Sequence, residues 1–371
     1  MPSPKNIEVA VVGVGLVGAE FVAQLLSYNA KSASSLAKLS LVSLSSSKRT
    51  IAFPEPAPPS YDWKAALAAS STPFSVSSLL DTLVDRNPKD KTIIVVDNTA
   101  SEDIARSYPQ FLKAGINVVT PNKKAFSGDL SLSVDIAKSA EAGGSRYYNE
   151  ATVGAGLPVV GPLRDLVATG DEVTKIEGVF SGTLSYIFNN YSPATPSSNP
   201  STFASIVTIA REKGYTEPHP GDDLSGTDVA RKLTILSRLV PSLFDKLDRG
   251  YASVATSSLI PEPLQSIDTG DEFVRRLPEF DAEFEKMRKE AEGNGEVIRY
   301  VGVIDVAAGK IEAKLERYSS THPFAASLSG ADNIVLFHTK RYADRPLIVQ
   351  GAGAGAAVTA MGVLSDVLRF V

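Results

Sequence analysis

Residues 7–18 read Ile7-Glu8-Val9-Ala10-Val11-Val12-Gly13-Val14-Gly15-Leu16-Val17-Gly18, and this stretch decides the fold of the first half of the chain. It opens with a short valine-rich run, the pattern of a buried strand. Phe21, Val22, Leu25 and Leu26 then recur at the spacing of an amphipathic helix. Between strand and helix stands G-x-G-x-x-G, with Val14, Leu16 and Val17 at the variable places. Gly13 permits a tight turn, Gly15 lets a pyrophosphate approach the backbone, and Gly18 lets helix and strand pack closely. The helix N-terminus adds N–H groups and the positive end of its dipole, which suits a phosphate.

Outward from this turn the pattern alternates. Strands are expected at 39–44, 92–97 and 116–119, and helices at 61–69, 75–86, 102–114 and 129–142, with a proline-rich loop at 50–60. Such alternation predicts a parallel sheet with helices on both faces. The segment at the end of the second strand is LVSLSSSKRT (41–50). A carboxylate usually stands here to bind the ribose 2′-hydroxyl of NAD. Ser43, Ser45, Ser46, Ser47, Lys48 and Arg49 take its place, a set that suits a 2′-phosphate and hence NADP as well as NAD. TPNKKAF (120–126) lies at the C-terminal edge of the expected sheet, where Lys123 or Lys124 can reach a ligand.

After Glu150 the alternation stops. Helices are expected at 158–168, 183–191, 202–213, 224–239 and 271–291, and strands at 173–180, 296–306, 310–318, 332–338 and 346–350. SPATPSSNPS (192–201) and residues 260–270 read as loops. This order suits an α+β domain. The terminal GAGAGAAVTAMGVLSDVLRF (351–370) is a glycine turn and an apolar helix, expected to pack back on the first domain. The chain is thus expected to be an α/β protein. Residues 1–150 form a Rossmann-like doubly wound dinucleotide-binding domain, 151–345 an α+β substrate and dimerisation domain, and 346–371 a returning segment.

The second domain holds GYTEPHPGDDLSGTDVARK (214–232). Asp228 and Lys232 are four apart within a helical pattern and share one face. With Glu217, Asp222 and Asp223 they gather four carboxylates around one lysine. That set suits a substrate bearing an ammonium group and an exchangeable proton, since a lysine near carboxylates can transfer protons. A solvated surface pair, worth about 0.3–0.5 kcal/mol, is the competing reading of this window.

Composition narrows the classes. The chain has 371 residues, enough for two or three domains, and 21% charged residues, as in soluble globular proteins. A net charge of −5 argues against a nucleic-acid binder. Without cysteine there is no disulfide, thiolate nucleophile or Cys-ligated metal. The three histidines, His219, His322 and His338, lie far apart without HExxH spacing, which argues against zinc. No G-x-S-x-G elbow is present. Neither a signal peptide nor a membrane span is apparent, so the cytoplasm is the expected compartment.

Eight ordered segments carry a family resemblance. GVGLVG, VDNT (96–99), TPNKKAF, NEATVGAGLP (149–158), KIEGVFSGTLSYIFN (175–189), GYTEP (214–218), DLSGTDVARK (223–232) and QGAGAGAAVTA (350–360) resemble homoserine dehydrogenase, in its short fungal-type monofunctional form. The resemblance implies NAD(P)-dependent interconversion of L-homoserine and L-aspartate 4-semialdehyde, toward threonine and methionine. It implies that Lys232 is the catalytic lysine and that Glu217 and Asp228 hold the substrate amino group. Asp223 takes a supporting place in the substrate site, and Thr183 belongs to the pocket. Lys123 stands at the boundary of cofactor and substrate and competes with Lys232 as the base. Asn98 and Thr99 lie beside the nicotinamide nucleotide, and Gly355 lies near the cofactor. A monovalent cation, usually sodium, is implied at Glu150, Val153, Ala155 and Leu157, largely through backbone carbonyls. A homodimer is expected. No ACT-type regulatory module is expected to follow, and no kinase module to precede Met1. The alternatives are another NADP-dependent amino-acid-pathway dehydrogenase and a non-catalytic NADP-binding regulator.

Overall fold

The structure, a computed structural model, describes residues 5–31, 37–53, 57, 61–86 and 91–371. The chain forms two compact units, one of residues 1–158 with 354–371 and one of 159–353. The sequence reading placed these divisions at 150/151 and 345/346.

The first unit begins with β1 (Lys5–Val12), α1 (Leu16–Lys31), β2 (Ala37–Ser45), β3 (Thr50–Ala52), α2 (Trp63–Ala69) and α3 (Val76–Arg86). It continues with β4 (Thr92–Asp97), α4 (Glu102–Lys113), β5 (Asn117–Val119), α5 (Lys124–Ser127), α6 (Leu130–Gly143) and β6 (Tyr147–Tyr148). The sheet order is β3-β2-β1-β4-β5-β6, parallel throughout except for the antiparallel edge strand β3. β1 leads outward to β2 on one side, while β4 lies on the other. The crevice at their C-terminal ends is the topological switch point where ligands of such sheets bind. β3 corrects the expected 50–60 loop at its start. Residues 54–56 and 58–60 of that segment lie outside the described residues.

The C-terminal helix, Ala356–Leu368, belongs to this first unit. Its Ala360, Val363 and Val367, with Phe370, join Phe21, Val22 and Leu25 of α1 in one buried core. Each large apolar side chain so buried contributes about 1.5–3 kcal/mol. Gly362 lets this helix approach the 150–157 segment closely, since a Cβ there would stand 2.9 Å from the Ala155 carbonyl oxygen.

The second unit contains α7 (Val160–Ala168), β7 (Val173–Val179), α8 (Gly182–Tyr191), α9 (Phe203–Glu212), α10 (Pro220–Leu224) and α11 (Thr227–Ser237). There follow β8 (Ala255–Thr256), α12 (Gly270–Arg276), α13 (Asp281–Gly293), β9 (Glu296–Asp305), β10 (Lys310–Ser319), α14 (Pro323–Ala326), β11 (Asp332–Thr339) and β12 (Leu347–Ala352). Its sheet runs β12-β11-β7-β9-β10-β8, mostly antiparallel.

Two expected helices are broken. The one at 224–239 starts afresh at Thr227, because Gly226 takes a left-handed φ of 75°. A Cβ on Gly226 would also meet the Tyr300 hydroxyl at 1.9 Å. The helix at 271–291 is interrupted by a 3₁₀ turn over Leu277–Phe280, where Pro278 lacks the N–H that a continuous α-helix needs.

Candidate active site

In the first unit the glycine turn leaves β1 with Gly13 at φ 84°. A Cβ at Gly13 would stand 2.6 Å from Thr99 Cγ2, and one at Gly18 would stand 1.9 Å from the Gly13 carbonyl oxygen. Both glycines are thus required by close approach. Gly15 has nothing within 4 Å of its Cβ position, so the backbone there faces open space. The turn packs on the exit of β4, where the Asn98 N–H donates to the Val12 carbonyl at 2.8 Å. Both polar atoms of the Asn98 amide are buried without a hydrogen-bond partner. An orphaned amide costs about 1–3 kcal/mol unless a ligand completes it. An open glycine backbone and an unsatisfied amide at the exit of β4 fit a dinucleotide.

Beside the turn lies a cavity of about 1000 Å³. Val14, Gly15 and Leu16 form one wall, Ser46, Ser47, Lys48 and Arg49 another, and Trp63 and Lys64 of α2 a third. The expected serine and cation segment is therefore brought to the glycine turn. Ser46 Oγ accepts from the Arg49 N–H at 3.1 Å, which curls this loop. The Arg49 guanidinium also donates to the Ala68 carbonyl. Trp63 and Lys64 were missed in the sequence, because only the fold brings α2 beside the second strand's exit. Gly355 is the N-cap of the C-terminal helix, with φ 115° and an open Cβ position.

Thr120, Asn122 and Lys123 follow β5. Lys123 is the N-cap of α5, and its carbonyl accepts from the Ser127 N–H at 2.9 Å. The 150–157 segment is a 3₁₀ turn followed by bends. Ala155 adopts φ 56° and is the one non-glycine residue with positive φ among those described. The Glu150 carboxylate pairs with Arg369 at 3.1 Å, and the Glu150 N–H donates to Asp366 Oδ2 at 2.7 Å. Among the described residues no group of three or more His, Cys, Asp or Glu side chains is arranged to hold a metal ion.

In the second unit Lys232 lies on α11 with only 8% of its side chain exposed. Its Nζ donates to the Phe180 carbonyl at 2.6 Å and pairs with Asp228 Oδ2 at 2.7 Å. Burial of the lysine distinguishes this pair from a bridge solvated at both ends. The same Phe180 carbonyl accepts from Asn333 Nδ2 at 2.9 Å, so β11 helps fix the acceptor that holds the lysine. Neither partner was legible in the sequence, since Phe180 acts through its backbone and Asn333 lies far along the chain.

Asp223 ties the remaining groups together. Its Oδ2 accepts from the Glu217 N–H at 2.8 Å, and its carboxylate is hydrogen-bonded by Thr183. Thr183 Oγ1 also reaches the Tyr215 carbonyl at 2.6 Å. Burial raises the Asp223 carboxyl above its ordinary value, and the nearby charges of Glu217 and Asp228 add to this. Thr183, Glu217 and Asp223 thus form one group that is electrostatically coupled to Asp228, the partner of the buried Lys232 ammonium. Asp222 is exposed on α10. The histidines serve other purposes. His219 caps α10 through the Gly221 N–H, His322 caps α14 through the Phe324 N–H, and His338 meets Glu177.

A doubly wound sheet with an open glycine turn, joined in one chain to a buried lysine in a carboxylate cluster, defines a nicotinamide-nucleotide-dependent oxidoreductase. The family model described as the NAD binding domain of homoserine dehydrogenase matches residues 13–150, and that described as homoserine dehydrogenase matches residues 158–368. The chain belongs to the homoserine dehydrogenase family. It is 46% identical over 371 residues to the homoserine dehydrogenase of Schizosaccharomyces pombe, covering 100% of this chain and 96% of that one. It is 44% identical to that of Saccharomyces cerevisiae, covering 99% and 98%. A crystal structure of a Candida auris protein of unknown function is similar at 42% identity and a TM-score of 0.89, over 98% of both chains. A hyperthermophilic archaeal homoserine dehydrogenase in complex with NADPH shares the fold at 20% identity and a TM-score of 0.70, over 98% and 97%. Among the described residues no helix is long and apolar enough to cross a membrane.

Proposed function

We propose that the chain interconverts L-homoserine and L-aspartate 4-semialdehyde with Lys232 as general acid and base. The observation that carries this reading is the burial of the Lys232 ammonium between the Phe180 carbonyl and Asp228. When bound, the nicotinamide supplies the hydride acceptor or donor. In the oxidative direction Lys232, in its neutral form, takes the proton of the homoserine hydroxyl as the carbon–hydrogen electron pair leaves. In the reductive direction its ammonium returns that proton to the carbonyl oxygen. Asp228 and Glu217 face the substrate ammonium, Asp223 holds the Glu217 backbone, and Thr183 closes the pocket. Fixing the substrate in this way lowers the barrier through positioning.

Asn98 and Thr99 lie at the nicotinamide, with Lys123 beside them and Gly355 near the cofactor. Ser46, Ser47, Lys48 and Arg49 favour NADP over NAD through the 2′-phosphate. The carbonyls of Glu150, Val153, Ala155 and Leu157 hold a monovalent cation, sodium by preference. The Glu150 carboxylate is engaged by Arg369, which supports a role for the carbonyls. Two copies pair through the sheet of the second unit, a reading supported by Ile348, 44% exposed on edge strand β12. The enzyme works in the cytoplasm on the route to threonine and methionine. One assay tests the core of this reading: homoserine-dependent reduction of NAD⁺ and NADP⁺, side by side, with and without sodium or potassium. No reduction of either nucleotide would refute it.

A further inference from the structure

We propose that Asp97 is a positioning residue that locks the exits of β4 and β5 together so that Asn98, Thr99 and Lys123 stand in register for hydride transfer. The role rests on the placement of those three residues at the nicotinamide made above. Asp97 is the last residue of β4 and is fully buried. One carboxylate oxygen accepts from the Thr99 N–H at 2.8 Å. The other accepts from the Tyr108 hydroxyl and from Asn122 Nδ2, the latter at 3.1 Å. The Asp97 carbonyl accepts from Thr120 Oγ1 at 2.7 Å. Asn122 in turn donates to the Ser101 carbonyl at 2.9 Å and accepts from the Lys124 N–H at 3.0 Å. One side chain therefore reaches the loop after β4 and the loop that carries Lys123.

The chemistry of the network separates its members. In the D97N variant the new amide NH₂ faces two donors. The Tyr108 hydroxyl can turn over, accept from it, and still donate to Thr120 Oγ1, 3.0 Å away. Asn122 cannot turn its amide without losing both Ser101 and Lys124. D97N thus breaks the side-chain link to Asn122 in the Lys123 loop, leaving the backbone link through Thr120 and the Thr99 cap. Y108F does the reverse: it removes a buried donor and leaves both loop links in place.

The test compares D97N, Y108F and the wild-type chain with NADPH and aspartate semialdehyde. D97N is expected to lose about 100-fold in kcat, the scale of a misplacement of about 1 Å. NADPH affinity, read by nucleotide fluorescence, stays within about threefold, because the glycine turn holds the phosphates. The primary isotope effect with NADPH deuterated at the transferred position rises in D97N. A merely structural defect lowers the active fraction and leaves that effect unchanged. Y108F stays within about fivefold of wild-type kcat, since it spares both loop links. Should D97N not fold, Asn122→Ala breaks the same link from its other end and is expected to show the same kcat loss and isotope effect. Wild-type kcat in D97N or in Asn122→Ala, an unchanged isotope effect, or equal losses in D97N and Y108F would overturn the role. A wild-type chain without activity would overturn the reaction itself.

Discussion

Replacing Lys232 by Met tests the site most directly, because the structure separates its effect on chemistry from its effect on the fold. Met keeps the length and apolar stem of the side chain and removes the ammonium. Removing the ammonium strips one hydrogen bond from the Phe180 carbonyl, yet Asn333 still donates to that oxygen at 2.9 Å. Asp228 loses its bond to Lys232 but is 47% exposed, so water can replace it. The penalty for orphaned groups, about 1–3 kcal/mol when they are buried, is therefore largely avoided. The desolvation cost of a lysine only 8% exposed is removed as well. Net stability should change by less than about 2 kcal/mol. Activity should not be spared. General acid–base catalysis is worth about 100- to 10,000-fold, and a loss of about 1000-fold corresponds to about 4 kcal/mol of barrier. The measurement pairs urea unfolding with steady-state kinetics in both directions. Retention of near-normal kcat in Lys232→Met, with activity abolished by Lys123→Ala, would refute the assignment and move the base to the first unit.

Four further outcomes follow from the same geometry. Arg49→Ala should weaken NADPH more than NADH, and equal changes in the two KM values would argue against a 2′-phosphate at the loop after β2. Gly226→Ala should cost more than about 2 kcal/mol, from left-handed strain and the clash with Tyr300, read as a lower urea midpoint; unchanged stability would show that the turn relaxes freely. Arg369→Ala should lower the sodium concentration needed for activity by removing a positive charge paired with Glu150 and Asp366, while an identical cation titration would separate Arg369 from that site. Burial raises the Asp97 carboxyl above its ordinary value, against the lowering effect of hydrogen bonds from Tyr108, Thr99 and Asn122. Its contribution to stability is therefore fully present below the ordinary carboxyl range and is lost as pH rises through the raised folded value. Tm should fall less steeply over that window in D97N than in the wild-type chain, and parallel curves would contradict this sign.

The first unit was legible because local signals agreed with the fold. The run of residues 92–97 became β4 without adjustment, and the glycine turn stood where strand and helix periodicity met. Boundaries failed where a backbone or packing condition overrode periodicity. The apolar spacing of Leu224, Val229 and Leu233 continues across Gly226, yet the chain turns there against Tyr300. Pro278 broke a charged helical pattern that looked continuous. Within the site, the acidic cluster and Lys232 were visible as side chains in one window. The Phe180 carbonyl, Asn333 and the α2 residues Trp63 and Lys64 were not, because backbone acceptors and distant strands leave no local periodicity to read.

The turn at Ser225-Gly226 has a consequence for the angular arrangement of charge. On an unbroken helix, residues five apart are rotated by about 140° around the axis, so Asp223 and Asp228 would project to different sides. Because the axis restarts at Thr227, both carboxylates influence one another, and Asp228 is among the charges that raise Asp223. The two helices, each with its own axis, thus bring two negative charges within electrostatic reach of one another. The Lys232 ammonium, 2.7 Å from Asp228, offsets part of that repulsion on the α11 side, while Asp223 keeps a raised carboxyl.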